Sequence, residues 1–487
     1  MNMPFKPVLL STDALIFLLV AVILFFVWYI RRHEHLRAPW KKVARDRRGM
    51  VAAVVLAGFV IVGLLDSMHF RPRLAADTSG RAGYAIDVTS VLDVALAPLR
   101  TRSEKTYSAP LATHLFAKET VQLPDGTQAR VFPRLVHGGR HLANPDTDRA
   151  GDITRRAITG VAIAVLAWNA MLLIAVAGLA HRKQARMQET WRRLWHGETE
   201  TPWREMLVAI GLLLTVFVPI AILAAKYHVL GTDKVGQDVL YLSLKSIRTG
   251  LVIGTLTTLV MLPFALLLGI MAGYVRGWVD DIIQYVYTTL NSIPGVLLIA
   301  ASVLMTQAYM DSHPELFETV QQRADLRLLF LCLILGVTSW TGLCRLLRGE
   351  SMKLRELEYV QAARAFGVSH FRIMTRHILP NVMHIVLIAV VMDFSGLVLA
   401  EAVLSYVGVG VDPTMNSFGT MINAARLEMA REPMVWWSLA AAFGFMLMLV
   451  LSANLFADAV RDAFDPRIRG RLASPAFLSK YLPAARG

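Results

Sequence analysis

Nine runs of predominantly apolar residues, each long enough to cross a bilayer, constrain this 487-residue chain more than any other feature. They occupy 14–30, 50–66, 158–180, 206–225, 249–274, 285–306, 326–344, 382–405 and 434–457. A hydrocarbon core about 30 Å thick is spanned by about 20 apolar residues in a helix. Lipid offers no partners for backbone polar groups, so runs of this length read as helices; barrel strands would be about half as long and alternating. The expected fold class is an all-α polytopic membrane protein. A composition of 55% hydrophobic and 18% charged residues excludes an ordinary soluble enzyme of this length.

The formal charge of +14 does not call for nucleic acid, because Lys and Arg concentrate in short connections between apolar runs, where they set orientation. Residues 31–49 carry eight Lys or Arg against two acidic residues, and 181–205 is also basic, so both are expected in the cytoplasm. Alternation then puts the N-terminus outside, the C-terminus inside, 345–381 in the cytoplasm, and 226–248 and 406–433 outside. The first run ends in Arg31 and Arg32 with no small-residue cleavage site, and reads as a retained anchor in lipid. Residues 67–157 form an expected extracytoplasmic domain. Loops longer than about 60 residues translocate regardless of charge, and alternation over Thr127–Leu135 suggests some β-structure there.

Between the seventh and eighth runs lies EYVQAARAFGVSHFRIMTRHILPN, Glu358 to Asn381. Leu354, Leu357, Val360, Ala363 and Phe366 recur at helical spacing while Glu356, Glu358, Gln361 and Arg364 stay polar, a pattern for a short helix with one packed side. Small Ala362 and Ala363 allow close approach, Gly367 suits the positive φ that ends a helix, and Pro380 suits the start of the next span. A plain surface helix held to anionic headgroups by Lys353, Arg355, Arg364 and Arg372 is the bland alternative. The sequence holds no GxxxxGK[ST], HExxH or GxSxG, so no P-loop, zincin or hydrolase chemistry is assigned to it, and no catalytic residue. Cys332 and Cys344 fall within or at the end of one run and build neither a disulfide framework nor a metal set.

From about Pro202 onward, four motifs in order resemble the C-type permease subunit of the dipeptide/oligopeptide/nickel family of ABC importers. HVLGTDKVGQDVL (228–240) is similar to the family's outward segment, with Gly231, Thr232, Asp233, Gly236 and Asp238 in place. Gln361, Ala362, Ala363, Gly367, Leu379 and Pro380 resemble the EAA loop; EAVLSYVGVGVDP (401–413) and NLFADAVRDAFDPRIR (454–469) resemble the closing segments. Gln361 stands where many members have Glu, His377 where many have Ile, and Phe418 where Trp is usual. The resemblance implies a six-helix permease core at 206–470 and a cytoplasmic tail at 471–487. Preceding the core are two accessory helices with a basic loop (1–66), the insert (67–157), and a third helix with a linker (158–205). It further implies an inner-membrane subunit, not an enzyme, that pairs with a second homologous permease. Two ATPase subunits would hold ATP and Mg, which this chain does not bind, and an extracytoplasmic binding protein would deliver short peptides, with nickel chelates or other small solutes as alternatives. Glu358, Tyr359, Gln361, Ala362, Ala363, Arg364, Gly367, His377 and Pro380 become the ATPase-coupling residues.

For the path itself the candidates are Asp393, Glu401 and Pro294. A charge in mid-span is costly unless paired or hydrated, so Asp393 either faces the path or bonds within the bundle. Glu401 reads more simply as structural, and Pro294 as a kink within the span 285–306. The outward segment 228–240 either docks a binding protein or closes the outer mouth; a metal on Asp233 and Asp238 lacks further ligands. The rival class is an ion-driven secondary transporter or channel using Asp393.

Overall fold

The computed structural model describes residues 5–73, 83–122, 128–316 and 319–464. The chain runs through β1 (Phe5–Val8), α1 (Ser11–Arg32), α2 (Glu34–Val43), α3 (Arg47–Ser67), β2 (His69–Pro72), β3 (Thr89–Ser90), α4 (Val91–Ala95) and α5 (Ala97–Arg100). There follow β4 (Glu119–Gln122), β5 (Gln128–Val131), α6 (Pro145–Lys183), α7 (Met187–Trp195), α8 (Trp203–Ala224), α9 (Val239–Val275), α10 (Trp278–Ser292) and α11 (Gly295–Ser312). The last elements are α12 (Val320–Ser339), α13 (Thr341–Arg355), α14 (Glu358–Ala365), α15 (His370–Ile373), α16 (Leu379–Val407), α17 (Phe418–Glu428) and α18 (Trp437–Phe464). A π-helical turn at Met374–Ile378 joins α15 to α16. The expected tail at 471–487 and the end of the closing motif lie outside the described residues, as does Thr127.

Among the described residues, nine helical stretches are long and apolar enough to cross a membrane, and they fall on the nine apolar runs. Most extend past them, because polar residues continue a helix once it leaves hydrocarbon. Asp238 starts α9 about ten residues before the apolar run: its Oδ1 accepts from the Leu240 and Tyr241 amides at 2.9 and 3.3 Å. At 37 residues, α9 is about 55 Å long. Pro145, whose missing N–H costs nothing in a first turn, starts α6 well before residue 158. The expected boundary at 157/158 therefore falls inside a helix.

The sixth run behaves differently. Pro294 does not kink a helix at 285–306; it separates two. Ile293 is extended at φ −88°, ψ 130°, as the residue before a proline prefers, so α10 ends at Ser292 and α11 begins at Gly295. The crossing helix is Gly295–Ser312, and α10 is a separate amphipathic helix against α9.

The long α9 is the axis of the bundle, packed on α3, α12, α13 and α16. Its outer part carries Tyr241, Lys245 and Arg248, spaced to share one helical face. Arg248 Nη2 donates to Asp13 Oδ1 on α1 at 2.6 Å and to Thr12 Oγ1 at 2.9 Å, and lies 3.5 Å from Asp325 Oδ1 on α12. Its Nε reaches Ser67 Oγ at the end of α3 at 3.3 Å. Lys245 Nζ sits 2.5 Å from Asp66 and 3.1 Å from Asp93, which also accepts from the Tyr241 hydroxyl at 2.8 Å. One helix face thus holds α1, α3, α4 and α12 through buried charge.

That face marks one end of the molecule, the insert end. There β1 pairs antiparallel with β2, Phe5 opposite Pro72, and β2 with β3; β4 and β5 form a separate two-stranded ribbon, with the expected β-structure realised over Gln128–Val131. The segment between α5 and α6 lies against the start of α9 and Trp437 of α18. The Leu111 amide donates to the His228 carbonyl, the Thr232 amide to the Ser108 carbonyl, and Trp437 Nε1 to the Thr232 carbonyl. Phe116 packs edge-on against the Trp437 ring, centroids 4.8 Å apart. A second attachment joins Asp152 of α6 to Tyr227, whose hydroxyl donates to it at 2.9 Å.

At the centre of this joint is a buried relay of side chains. The Glu104 carboxylate accepts from the backbone amides of Val136, His137 and Gly138 at 2.8, 2.8 and 3.0 Å and meets His228 Nε2 at 3.4 Å. His228 Nδ1 lies 2.7 Å from Asp238, the cap of α9. Burial opposes the charge of each group, but the hydrogen bonds outweigh it: Glu104 is held down to about 2, and His228, between two carboxylates, is pushed up to about 9. Gly236 has φ +78°, and a Cβ there would stand 1.8 Å from the Glu104 carbonyl oxygen, so only glycine permits the approach.

Glu104's contribution is complete above its ordinary value of 4.5 and is lost as pH falls through about 2; that of His228 is complete below 6.5 and is lost as pH rises through about 9. Resistance of residues 100–142 to limited proteolysis in detergent should therefore fall as pH rises from 6.5 to 9, and His228→Phe should abolish that alkaline dependence. Glu104→Ala, which strands a buried imidazolium and three amides, should cost about 3 kcal/mol. An unchanged unfolding midpoint for Glu104→Ala would mean that the relay does not hold the joint.

Candidate functional site

At the opposite end, the loop end, the connection between α13 and α16 forms a knob. The expected single stripe from Leu354 to Phe366 is broken: α13 runs on to Arg355, a turn at Glu356 and Leu357 redirects the chain, and α14 covers only Glu358–Ala365. Leu354 packs into the core from the end of α13, while Val360, 1% exposed, anchors α14 beside Ile373 and Ile378 with Ala363 partly buried. Leu357 and Phe366, either side of α14, turn outward. The stripe fails because three of its members, Leu354, Leu357 and Phe366, lie outside the helix whose period was assumed. Gly367 follows with φ +75° and open space around it, ending α14 as expected.

The outer face of the knob mixes large exposed apolar side chains with polar ones. Phe366 is 87% exposed and Phe371 70%, with Tyr359 and Leu357 beside them in sequence and also exposed. Glu358, Gln361, Ala362 and Arg364 are exposed as well, and the Gln361 amide donates to the Glu356 carbonyl at 3.1 Å. A second layer holds the knob to the bundle: Tyr274 OH meets His370 Nδ1 at 2.9 Å, Arg355 donates to the Tyr274 carbonyl at 2.9 Å, and Arg348 grips Asp280 through two nitrogens at 2.6 and 2.8 Å. That grip holds the Asp280 carboxyl below the usual carboxylate range, against burial. His377 lies beside Tyr359, ring centroids 6.1 Å apart, and Asn381 Nδ2 reaches the Tyr359 hydroxyl at 3.1 Å. Pro380 stands in the first turn of α16, as expected, where its missing N–H costs nothing. The π turn at Met374–Ile378 lies directly ahead of α16.

The path candidates separate. Asp393 stands half-buried midway along α16 and makes no hydrogen bond or ion pair among the described residues, although its neighbour Ser395 donates to Asn454 at 2.6 Å. Glu401 is 1% exposed and accepts from Ser405 Oγ at 2.6 Å, so it is packed within the bundle and does not open onto a path. Pro294 is exposed at a helix junction and lines nothing that the described residues enclose.

The outward segment is not a free loop. Gly231, Thr232, Gly236 and Asp238 are buried beneath the 100–142 segment, with Thr232 Oγ1 accepting from the Ser108 amide at 2.6 Å. Asp233 and Asp238 do not converge: Asp238 serves His228 and α9, and Asp233 Oδ1 accepts from the Val235 and Gln237 amides at 3.0 and 2.7 Å. Sequence reasoning missed Glu104 and His228, and missed the exposed Phe371. The helical period ahead of Gly367 drew attention to Phe366, but nothing in the sequence marked Phe371 as exposed.

Comparison with known proteins identifies the fold's kin. Residues 265–470 match the family described as "Binding-protein-dependent transport system inner membrane component". The oligopeptide transport system permease protein OppC of Mycobacterium tuberculosis is 31% identical over 242 residues, 50% of this chain and 77% of that protein. The glutathione transport system permease protein GsiD of Pectobacterium atrosepticum is 28% identical over 323 residues, 60% of this chain and all of that protein. A solved structure of the MetNI methionine ABC transporter, described as inward facing, covers 47% of this chain at 15% identity with a TM-score of 0.36. The relatives are transport permeases and lend nothing to the ion-driven alternative. With nine apolar crossing helices and these relatives, the chain is a multi-pass inner-membrane protein that belongs to the binding-protein-dependent transport family, as a permease subunit of an ABC importer.

Proposed function

We propose that this subunit forms half of the translocation pathway for short peptides, pairing with a second homologous permease. Two ATPase subunits would be seated on the loop end, and a binding protein would deliver cargo to the insert end. The observation that carries this reading is the knob: Phe366, just past the helix that Val360 anchors, and Phe371 on α15 stand largely exposed, and large apolar side chains are costly to leave bare in water. ATP and Mg belong to the ATPases; this chain supplies the lever and breaks no covalent bond. The names of the relatives, which carry oligopeptides and glutathione, support peptides over nickel chelates.

In this reading the loop end is cytoplasmic and the insert end external, with the N-terminus outside. The basic connections support it: Arg45 and Arg47 of the first lie 3.8 and 3.4 Å from Glu200 and Glu205 of the second, and Trp40 packs edge-on against Phe464 near the end of α18. ATP-driven closure of the ATPases moves α14, and the knob's ties to α9 and α16 pass that movement to the bundle. Asp393, lacking a partner in the bundle, is assigned to the pathway facing the second permease, where a carboxylate suits a peptide ammonium.

Three outcomes test this. Phe366→Ala should leave insertion intact and weaken ATPase binding by about 2 kcal/mol, about 30-fold, as for a central interface aromatic; unchanged co-purification of the ATPases would remove the docking assignment. Gly367→Val forces a β-branched residue into a positive φ at a cost of about 1–3 kcal/mol and should uncouple hydrolysis from uptake. Asp393→Asn should lower peptide uptake in proteoliposomes with the complex still assembled, whereas an unaltered uptake profile would take Asp393 off the path.

A further inference from the structure

Where α3, the second accessory helix, meets α8, the first helix of the permease core, the loop end contains a cleft of about 530 Å³. That volume lies within the range of about 300–1,000 Å³ typical of small-molecule sites. Its walls are apolar: Val51 and Val55 from α3, and Val208, Ala209, Leu212 and Leu213 from α8. Its mouth is charged, with Arg47, Arg204 and Glu205.

Two features of the mouth favour an anion. Arg204 is exposed and has no ion pair or hydrogen bond among the described residues, while Arg47 keeps 71% of its side chain exposed despite lying 3.4 Å from Glu205. Both helices also begin here. Asp46 caps α3 by accepting from the Gly49 amide at 2.6 Å, but α8 starts after Pro202, which gives no side-chain cap, so its first-turn amides keep their positive end of the helix dipole. An apolar slot between two crossing helices, closed at the membrane surface by arginines and a helix N-terminus, matches the chemistry of a lipid with a negative headgroup.

We propose that this cleft binds an acidic phospholipid, its acyl chain against the valine and leucine walls and its phosphate between Arg47 and Arg204. The lipid fills the seam between the accessory helices and the permease core. The seam depends on neither the cargo nor the ATPases, so the inference stands apart from the transport reading.

The test is native mass spectrometry of the full-length chain in detergent, titrated with dioleoyl phosphatidylglycerol or dioleoyl phosphatidylcholine. The wild type should prefer the glycerol lipid by about fivefold or more, the worth of one arginine near a membrane surface. Arg47→Gln with Arg204→Gln should lower phosphatidylglycerol binding about tenfold, whereas Arg140→Gln with Lys234→Gln, which removes two positive charges at the insert end, should leave it unchanged. Val55→Trp fills the cleft with both arginines kept and should reduce binding of both lipids. Both arginines are exposed, and circular dichroism checks that their variants fold. Equal binding of the two lipids by the wild type overturns the proposal, as does an undiminished phosphatidylglycerol preference in the double arginine variant.

Discussion

The constraint on which the rest of the structure depends is the cost of burying Arg248 inside a helical bundle. A guanidinium 6% exposed at the outer part of α9 is tolerable only if carboxylates come to it. Asp13 and Asp325 do so from α1 and α12, and the geometry of those contacts fixes where both helices stand. Lys245 repeats the device one turn earlier with Asp66 and Asp93. Helix packing between apolar faces in lipid is weakly directional, because lipid tails are as apolar as leucine. Charges on one face of α9 supply the direction. They also hold α1 and α3 to α9, the carboxylates of Asp13 and Asp66 meeting Arg248 and Lys245.

The two ends of the molecule are consequently built on opposite principles. At the insert end, polar groups are internal and paired, from Arg248 through Asp238 and His228 to Glu104, and the outward segment is covered. At the loop end, the ion pair of Arg348 with Asp280 holds a base from which apolar side chains point outward. Satisfied buried networks rigidify, whereas an anchored helix with a bare aromatic rim awaits a surface. The π turn ahead of Pro380 lies between knob and span, where the backbone already departs from regular hydrogen bonding.

Much of the fold was legible in the sequence because bilayer physics writes itself in hydropathy: all nine crossing helices stand on the nine runs. Their ends were less legible. Asp238 and Pro145 signal helix starts by capping and by fixed φ, yet they lie outside the apolar window that defined each run. Pro294 was visible, but whether a proline kinks or divides a helix depends on whether the flanking segments share an axis, which composition does not encode. At the knob, Gly367 has the positive φ and Val360 the buried position expected of them, whereas Leu357 and Phe366 faced outward because the helix was shorter than its apparent period. The Glu104 relay was hidden for a different reason: its partners are separated by 124 residues, and no local pattern links a glutamate in a long loop to a histidine ahead of a transmembrane helix.

The segment 228–240 is largely buried where the insert meets the bundle. It was expected to be open, either to dock a binding protein or to close the mouth. In this chain its glycines instead admit the insert: at Gly236 the Glu104 backbone occupies the space where any side chain would begin. The insert is in turn tied to the start of α9 by Glu104, through His228 and Asp238, and packs on the start of α18 where Phe116 meets the Trp437 ring. An added domain hung on a flexible linker would leave the core indifferent to it. One joined to the starts of α9 and α18 by a buried imidazolium and an aromatic contact is positioned together with them.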